Sequence, residues 1–394
     1  MSREVFILSY SRTPIGAFQG ALKDVSAPNL GAVAIKGALK NGGLSPDHVE
    51  EVIMGNVLSA GVGQAPARQA SIYAGLPENV ECLTINKMCG SGLKAVMLGA
   101  QSIASGEVDV VVAGGMESMS NAPYYLPKGR TGHRLGHGQV LDGIIHDGLW
   151  DVYNDKHMGN CAEMCADKFS FSRDDQDAYA TESYKRAVNA IENGAFKNEI
   201  VPVEIPQRKG DPKIMDTDEE PGRGMPEKFP KLRPAFQKDG TVTAANASSI
   251  NDGAAVCVLI SGEKAKELGL NPEFKIVGHG SAAHAPEWFT TAPAKAMKKV
   301  FNKTGLSVDS IDLFEINEAF SAVTMAASKE FNLDSEKVNV NGGAVSLGHP
   351  IGASGSRILV TLMNAMTNKN LSKGMASICI GGGEASAMII EKMN

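Results

Sequence analysis

The sequence has no long run of basic residues, no leader-like start, few cysteines and no apolar stretch of membrane-spanning length, and each shortage removes a class of function. Lys and Arg number 38 against 44 Asp and Glu, and the two signs are intermixed to a net charge of −6. No electrostatic footprint for nucleic acid is visible. No apolar stretch approaches the roughly 20 residues a membrane helix needs. The opening text "REVFILSYSRTPIGAF" passes at once into a strand-like run, without the charged region and cleavage site of a secretory leader or the Arg/Ser-rich character of a transit peptide. A cytoplasmic location is expected. The six cysteines, at 82, 89, 161, 165, 257 and 379, are then read as reduced thiols and not as a disulfide framework. Cys161 and Cys165 in "CAEMC" lack further ligands at metal spacing, so core packing is expected there and no metal site. The glycine runs contain neither a GxGxxG nor a Walker arrangement after a strand, which leaves nucleotide hydrolysis and dinucleotide binding unsupported.

What is present is a large apolar fraction, 43% of 394 residues, with 43 glycines and an internal duplication. "GLSPDHVEEVIMGNV" (43 to 57) reads against "GLSVDSIDLFEINEA" (305 to 319). "GSGLKAVMLGAQSI" (90 to 103) reads against "ASGSRILVTLMNAM" (353 to 366), and "VVVAGGMES" (110 to 118) against "SICIGGGEA" (377 to 385). Three blocks in one order at nearly one offset imply two halves of the same topology. Buried-strand patterns alternate with helical ones such as "NLGAVAIKGALKNG", predicting mostly parallel sheets flanked by helices, an α/β layered body. Residues 119–249 break the pattern with Gly/His-rich turns and a Pro/charge-rich stretch, as an inserted lobe would. The expected organisation is a first half from 1–118 plus 250–270, an insert at 119–249 and a second half at 271–394.

Four stretches carry candidate chemistry. Cys89 in "NKMCGSGLKA" precedes Gly-Ser-Gly and a helical run, where backbone N–H groups favour a thiolate and can hold an oxyanion. Burial as a small hydrophobe is the alternative; the glycines, which admit a ligand, favour the nucleophile. His349 in "NGGAVSLGHPIGASG" occupies the matching turn of the second half and is a candidate base for a thiol. Cys379 in "SICIGGGEAS" ends a buried strand before three glycines, either as a strand residue or as an acid/base with the Gly381 N–H beside it. Asn317 and Glu318 follow "LFEI" and need polar partners, with helix capping as the plain alternative.

Together "NKMCGSGLKA", "NEAF", "NGGAVSLGHPIGASG" and "CIGGGEAS" closely resemble the thiolases, specifically those that transfer acetyl groups between coenzyme A thioesters. The resemblance covers essentially the whole chain, including "RTPIGAF", "AGGMESMS" and "GTVTAANASSINDGAA". It implies a duplicated αβαβα fold with an inserted loop domain that binds coenzyme A. It implies Cys89 as nucleophile, His349 as its activating base and Cys379 as the acid/base. Asn317 would hold a water that forms one oxyanion hole with His349, and the N–H groups of Cys89 and Gly381 would form the other. The expected reaction is the reversible condensation of two acetyl-CoA to acetoacetyl-CoA and CoA, with these thioesters as substrates and no cofactor.

Coenzyme A contacts carried over from matching text are Leu149, His157, Met158, Phe236, Ala244, Ser248, Ala319 and Phe320, with Arg223 for the adenine. Met158 and Phe320 would narrow the acyl site toward short groups. Pro221 appears near the position where some relatives carry the tyrosine through which they bind potassium, which argues against potassium activation. "HAPEWFTTAPAKA" (284 to 296) departs from the text frequent in bacterial relatives and leaves the far wall of the pocket unread. The segment "NAPYYLPKGRTGHRLGHGQVLDGI" resembles the loop that joins two dimers, implying a homotetramer. A degradative 3-ketoacyl-CoA thiolase of broader chain length is the rival reading. A noncatalytic CoA or lipid carrier is disfavoured because Cys89, His349 and Cys379 are all retained.

Overall fold

A computed structural model describes residues 3–393. The first half comprises β1 (Val5–Arg12), α1 (Ala27–Gly42), β2 (Glu51–Gly55), α2 (Pro66–Ala74), β3 (Glu81–Ile85), α3 (Ser91–Ser105) and β4 (Val110–Ser118). A segment of short hairpins carrying α4 (Met158–Phe169) and α5 (Arg173–Glu192) follows, and β5 (Asn251–Ser261) then enters the sheet between β1 and β4. The rest supplies β6 (Phe274–Ala283), α6 (Ala292–Thr304), β7 (Leu313–Ile316), α7 (Ser321–Phe331), α8 (Ile351–Lys369), β8 (Lys373–Ile380) and β9 (Glu384–Lys392). Helix ends follow local chemistry. α1 starts where the Ser26 side chain accepts the Asn29 N–H and stops at Gly43 with φ 61°, and α5 opens on a capping box between Ser172 and Asp175.

The strands run in the order β7-β8-β9-β6-β1-β5-β4-β2-β3, joined at the middle by a short pairing of Phe6 and Ile7 with Lys275 and Phe274. In the first half β1–β5 and β5–β4 are antiparallel and β4–β2 parallel. The second half repeats this: β6–β9 and β9–β8 antiparallel, β8–β7 parallel. The duplication is therefore visible strand by strand. The expectation of mostly parallel sheets is corrected to a mixed sheet, for two reasons. β9 follows β8 through the turn Gly381–Gly383, too short for a parallel crossover, and β5 arrives from the insert without a crossover helix.

Burial sorts the helices into layers. α1 and α2 cover one outer face through Leu30, Ile35 and Ala70, packed on Val110 and Val256, while α6 and α7 cover the other through Met297, Val300 and Ala327 on Phe314 and Ile389. Between the two sheet halves lie α3 and α8, whose Leu93, Val96, Ile358 and Met363 share one core with Ile7, Leu259, Ile378 and Ile390. This is the αβαβα stack. Every residue from Ile351 to Met366 of α8 is buried, as a middle-layer helix must be. The two central helices touch at equivalent glycines: a Cβ on Gly92 would lie 2.7 Å from the Ser356 nitrogen, and one on Gly355 2.5 Å from the Leu93 nitrogen. Any side chain there would part the helices, and with them the two turns that precede them.

The insert is tied to this body by buried charge. The Arg12 guanidinium, fully buried, meets Glu199 at 2.5 Å and forks onto Asp218 at 2.7 and 2.9 Å. Glu199 also accepts from Thr361 and Asn364 of α8, so the pairing is hydrogen-bonded throughout. Among the described residues no helix is long and apolar enough to cross a membrane.

Candidate active site

Cys89 lies in the turn between β3 and α3. Met88 before it adopts φ 46°, a left-handed conformation that costs a non-glycine residue on the order of 1 kcal/mol. Three hydrogen bonds hold it: Met88 N–H to the Asn86 side chain (2.9 Å), Lys87 N–H to Ser91 Oγ (2.8 Å) and Ser91 Oγ–H to the Met88 carbonyl (2.6 Å). Gly90 is required by space, since a Cβ would fall 2.3 Å from Ile380 Cδ1. Burial pushes the Cys89 thiol up to about 11, and the Glu117 carboxylate adds to the rise. The N–H groups of Gly381 and of Cys89 itself act in the other direction by favouring the thiolate. At rest the sulfur is a thiol with two amide donors at hand, the geometry that can receive an oxyanion.

His349 follows Gly348, whose φ of 105° and lack of space beside Asn251 both require glycine. The His349 N–H donates to Asn251 Oδ1 at 2.8 Å, and ring Nδ1 lies 2.6 Å from Ser354 Oγ. Nε2 is buried without a protein partner among the described residues. Burial first, and then the nearby Arg357 charge, lower the imidazole to about 3, so the ring is neutral with one nitrogen unengaged. Cys379 is buried at the end of β8; burial raises its thiol well above the usual range, and the neighbouring Cys89 thiol adds to this.

The two polar residues after β7 part company. Glu318 is saturated, accepting from Tyr179 (2.9 Å), Ser183 (2.8 Å), Asn339 (2.8 Å) and the Val345 N–H (3.1 Å); it binds α5 to the second half. Asn317 is 1% exposed and neither its Oδ1 nor its Nδ2 has a protein partner among the described residues. A buried amide with both ends open is a place for an ordered water.

Cys89, His349 and Gly381 meet at a cavity of about 380 Å³, which Leu149, His157, Met158, Phe236, Ala244, Ser248, Ala319 and Phe320 also line. Its walls are mostly apolar, as a pantetheine passage would require. His157 caps α4 by accepting the Gly159 N–H on Nδ1 (3.0 Å) and stacks on Phe236 with centroids 4.8 Å apart. Ser248 is oriented by donating to the Ala319 carbonyl at 2.9 Å. Cys379 packs behind the wall with Met158, Phe289 and Phe320. Arg223 is the exception among the coenzyme A candidates: it stands exposed in the turn Pro221–Arg223 and does not line this cavity. The Pro-Gly turn directs it outward, beside a separate open cleft bordered by Pro221 and Gly224. Cys161 and Cys165 pack in the core beside α7.

Sequence reasoning did not single out Phe289, which lines the cavity from within "HAPEWFTTAPAKA" and packs edge-on to Phe320. It also passed over Asn251, Ser354 and Glu117. Glu117 accepts from Asn56, Val57, Leu58 and the Gly352 N–H, joining the first half to the start of α8. Ser354 carried a signal, since it is the duplicate of Ser91; Phe289 carried none.

A thiol beside two amide donors and a neutral imidazole at an apolar passage, with a second thiol packed behind its wall, can carry an acyl group as a thioester and move protons around it, which is the equipment of a covalent acyltransferase. Residues 5–263 match the thiolase N-terminal domain and residues 270–392 the thiolase C-terminal domain. The chain belongs to the thiolase family. It is 54% identical over 391 residues to acetyl-CoA acetyltransferase 2 of Arabidopsis thaliana, covering 99% of this chain and 97% of that protein. It is 50% identical to an acetyl-CoA acetyltransferase of Pseudomonas aeruginosa, over 99% of this chain and all of that one. Among solved structures, a thiolase of Ascaris suum in complex with coenzyme A superposes with a TM-score of 0.95 at 49% identity, over 99% of this chain and 100% of the other. The acetyl-CoA acetyltransferase of Bacillus anthracis does so with a TM-score of 0.97 at 44% identity, over 100% and 99%.

Proposed function

We propose that the protein is an acetyl-CoA acetyltransferase that condenses two acetyl-CoA to acetoacetyl-CoA and CoA, reversibly, through an acetyl group carried on Cys89. The observation that supports this reading is Cys89 and the unengaged His349 Nε2 at one apolar cavity, with the Cys379 thiol packed behind its wall next to Cys89. The proton accounting closes on the chain's own groups. Nε2 takes the Cys89 proton as the sulfur attacks the thioester, the oxyanion is held by the Cys89 and Gly381 N–H groups, and the C–S bond to CoA breaks. Cys379 gives its proton to the departing CoA sulfur and is left as a thiolate beside the acetyl-enzyme. That thiolate removes an α-proton from the second acetyl-CoA. The enolate oxygen is held by the imidazolium Nε2–H and a water on Asn317 while its carbon attacks the acetyl group, and Cys89 leaves and recovers its proton from His349. No cofactor enters this cycle.

Short acyl groups fit best because Met158, Phe289 and Phe320 crowd the reacting end. The test is kcat/KM for CoA-dependent cleavage of 3-ketoacyl-CoA substrates. A fall of roughly 10-fold or more is expected from acetoacetyl-CoA to 3-ketohexanoyl-CoA, and Phe289→Ala should flatten it. Sustained activity of the unaltered enzyme on 3-ketodecanoyl-CoA would move the assignment to a degradative 3-ketoacyl-CoA thiolase.

The segment 119–249 is assigned to coenzyme A binding and assembly, between a first half of 1–118 plus 250–270 and a second half of 271–394. A cytoplasmic homotetramer is proposed. Supporting the assembly, Tyr124, Leu126, Leu135 and Val140 expose apolar surface on one loop, Leu135 to 97%. Light scattering should give four chains per particle; a monomer at working concentration would contradict it.

A further inference from the structure

Which nitrogen of His349 carries the proton decides whether Cys89 has a base, and the fold contains a group placed to decide it. We propose that Ser354 is a positioning residue whose hydroxyl accepts from His349 Nδ1–H and so keeps Nε2 free to take the Cys89 proton. The inference rests on the reading of the site given above. Ser354 is fully buried in the first turn of α8, with Oγ 2.6 Å from Nδ1 and 2.9 Å from the Pro350 carbonyl. A hydroxyl has one proton and two lone pairs. With its proton on the Pro350 carbonyl, the lone pairs face Nδ1, and the ring nitrogen must be the donor. Asn251 accepts the backbone N–H of His349 at 2.8 Å, so the segment that carries the imidazole is held as well.

The duplication supplies the independent observation. Ser91 is the equivalent of Ser354 in the first half, at the first turn of α3. Its hydroxyl also donates to a carbonyl of the preceding turn, Met88, at 2.6 Å, and it accepts from the Lys87 N–H at 2.8 Å. There the polarity is beyond choice, because a backbone N–H can only donate. Each half thus uses its helix-start serine in one way: the proton goes to the carbonyl before the helix, and the lone pair goes to the loop that carries the reacting side chain. In one half that loop holds Cys89; in the other the donor is the His349 ring itself.

The device has a purpose because a free neutral histidine side chain favours the tautomer with its proton on Nε2. In that form Nε2 has no lone pair, and the first proton transfer loses its acceptor. With Nδ1–H held by Ser354, Nε2 is the base at rest. The imidazolium that follows keeps the same Nδ1–H bond, so the ring need not turn between the two half-reactions.

The experiment uses the full-length protein with Ser354→Ala and Ser354→Thr, and histidine labelled with ¹⁵N, the His349 signals being assigned by their loss in His349→Gln. In the unaltered protein the His349 spectrum should show a protonated Nδ1 and a bare Nε2; in Ser354→Ala the proton should move to Nε2. Steady-state thiolysis of acetoacetyl-CoA should show kcat lowered by roughly 10-fold to 100-fold in Ser354→Ala with KM little changed, and largely recovered in Ser354→Thr, which keeps a hydroxyl. A bare Nδ1 in the unaltered protein, or an unchanged kcat in Ser354→Ala, would overturn the proposal, and the spectrum decides even if the threonine does not fit. Absence of thiolysis in the unaltered enzyme would instead reject the proposed function, and the spectrum would still report the tautomer.

Discussion

Replacing Cys89 by alanine is expected to abolish acetyl-enzyme formation and to lower turnover by at least about 10⁴-fold. Cys89 is the thiol that lines the cavity, and its own N–H and that of Gly381, from the turn after β8, are the two donors that would hold the oxyanion. Cys379 lies behind the wall, Cys161, Cys165 and Cys257 are buried in the core, and Cys82 sits in β3 away from the cavity, so no other thiol among the described residues lines it. The removed group is a single half-buried atom, and the helix-start hydrogen bonds of Ser91 do not involve it, so stability should change little. Incubation with acetyl-CoA followed by intact-protein mass spectrometry reads the result: the unaltered protein gains one acetyl group and Cys89→Ala gains none. Acetylation of the variant together with turnover would place the nucleophile elsewhere.

Cys379→Ser should separate the two halves of the reaction. The CoA thiolate is a good leaving group even without a proton donor, so Cys89 should still become acetylated. An α-proton of a thioester is only weakly acidic, and a serine hydroxyl cannot supply the thiolate that removes it. Condensation is expected to fall by roughly 10² to 10⁴-fold. Burial raises the Cys379 thiol well above its usual range, which makes its thiolate a strong base once formed. The independent readout is exchange of the acetyl-CoA methyl protons with deuterated solvent, present with the unaltered enzyme and absent with the variant. Exchange at the unaltered rate in Cys379→Ser would assign the base to another group.

Much of the site was legible because its parts sit in short, self-describing stretches. "CGSG" states a thiol at a helix start, "CIGGGE" a strand that must turn at once, and the repeated blocks state that two such turns belong to equivalent places. Other parts had no local signature. Met88 is an ordinary residue in sequence, and its left-handed backbone arises from the hydrogen bonds of Asn86 and Ser91 around it. Phe289 lines the cavity only because its 3-10 segment, Pro286–Thr291, folds back onto the Phe320 ring. Arg223, named for an adenine contact by text similarity, stands exposed in its proline-rich turn and outside the apolar cavity.

By itself the sequence determined the kinds of reactive group, their places at turn and helix starts, and the twofold repetition that predicts one shared topology. Those properties are carried by neighbouring residues and by apolar periodicity, which a linear reading retains. The tertiary structure alone decided the mixed direction of the strands, the meeting of Cys89 and His349 at one cavity with Cys379 behind its wall, and the saturation of Glu318 beside an Asn317 side chain with no protein partner among the described residues. It also decided the neutral state of His349 and the raised thiols. These are consequences of burial and of contacts between residues hundreds of positions apart, and such distances and dielectric surroundings exist only once the two halves have packed against each other around α3 and α8.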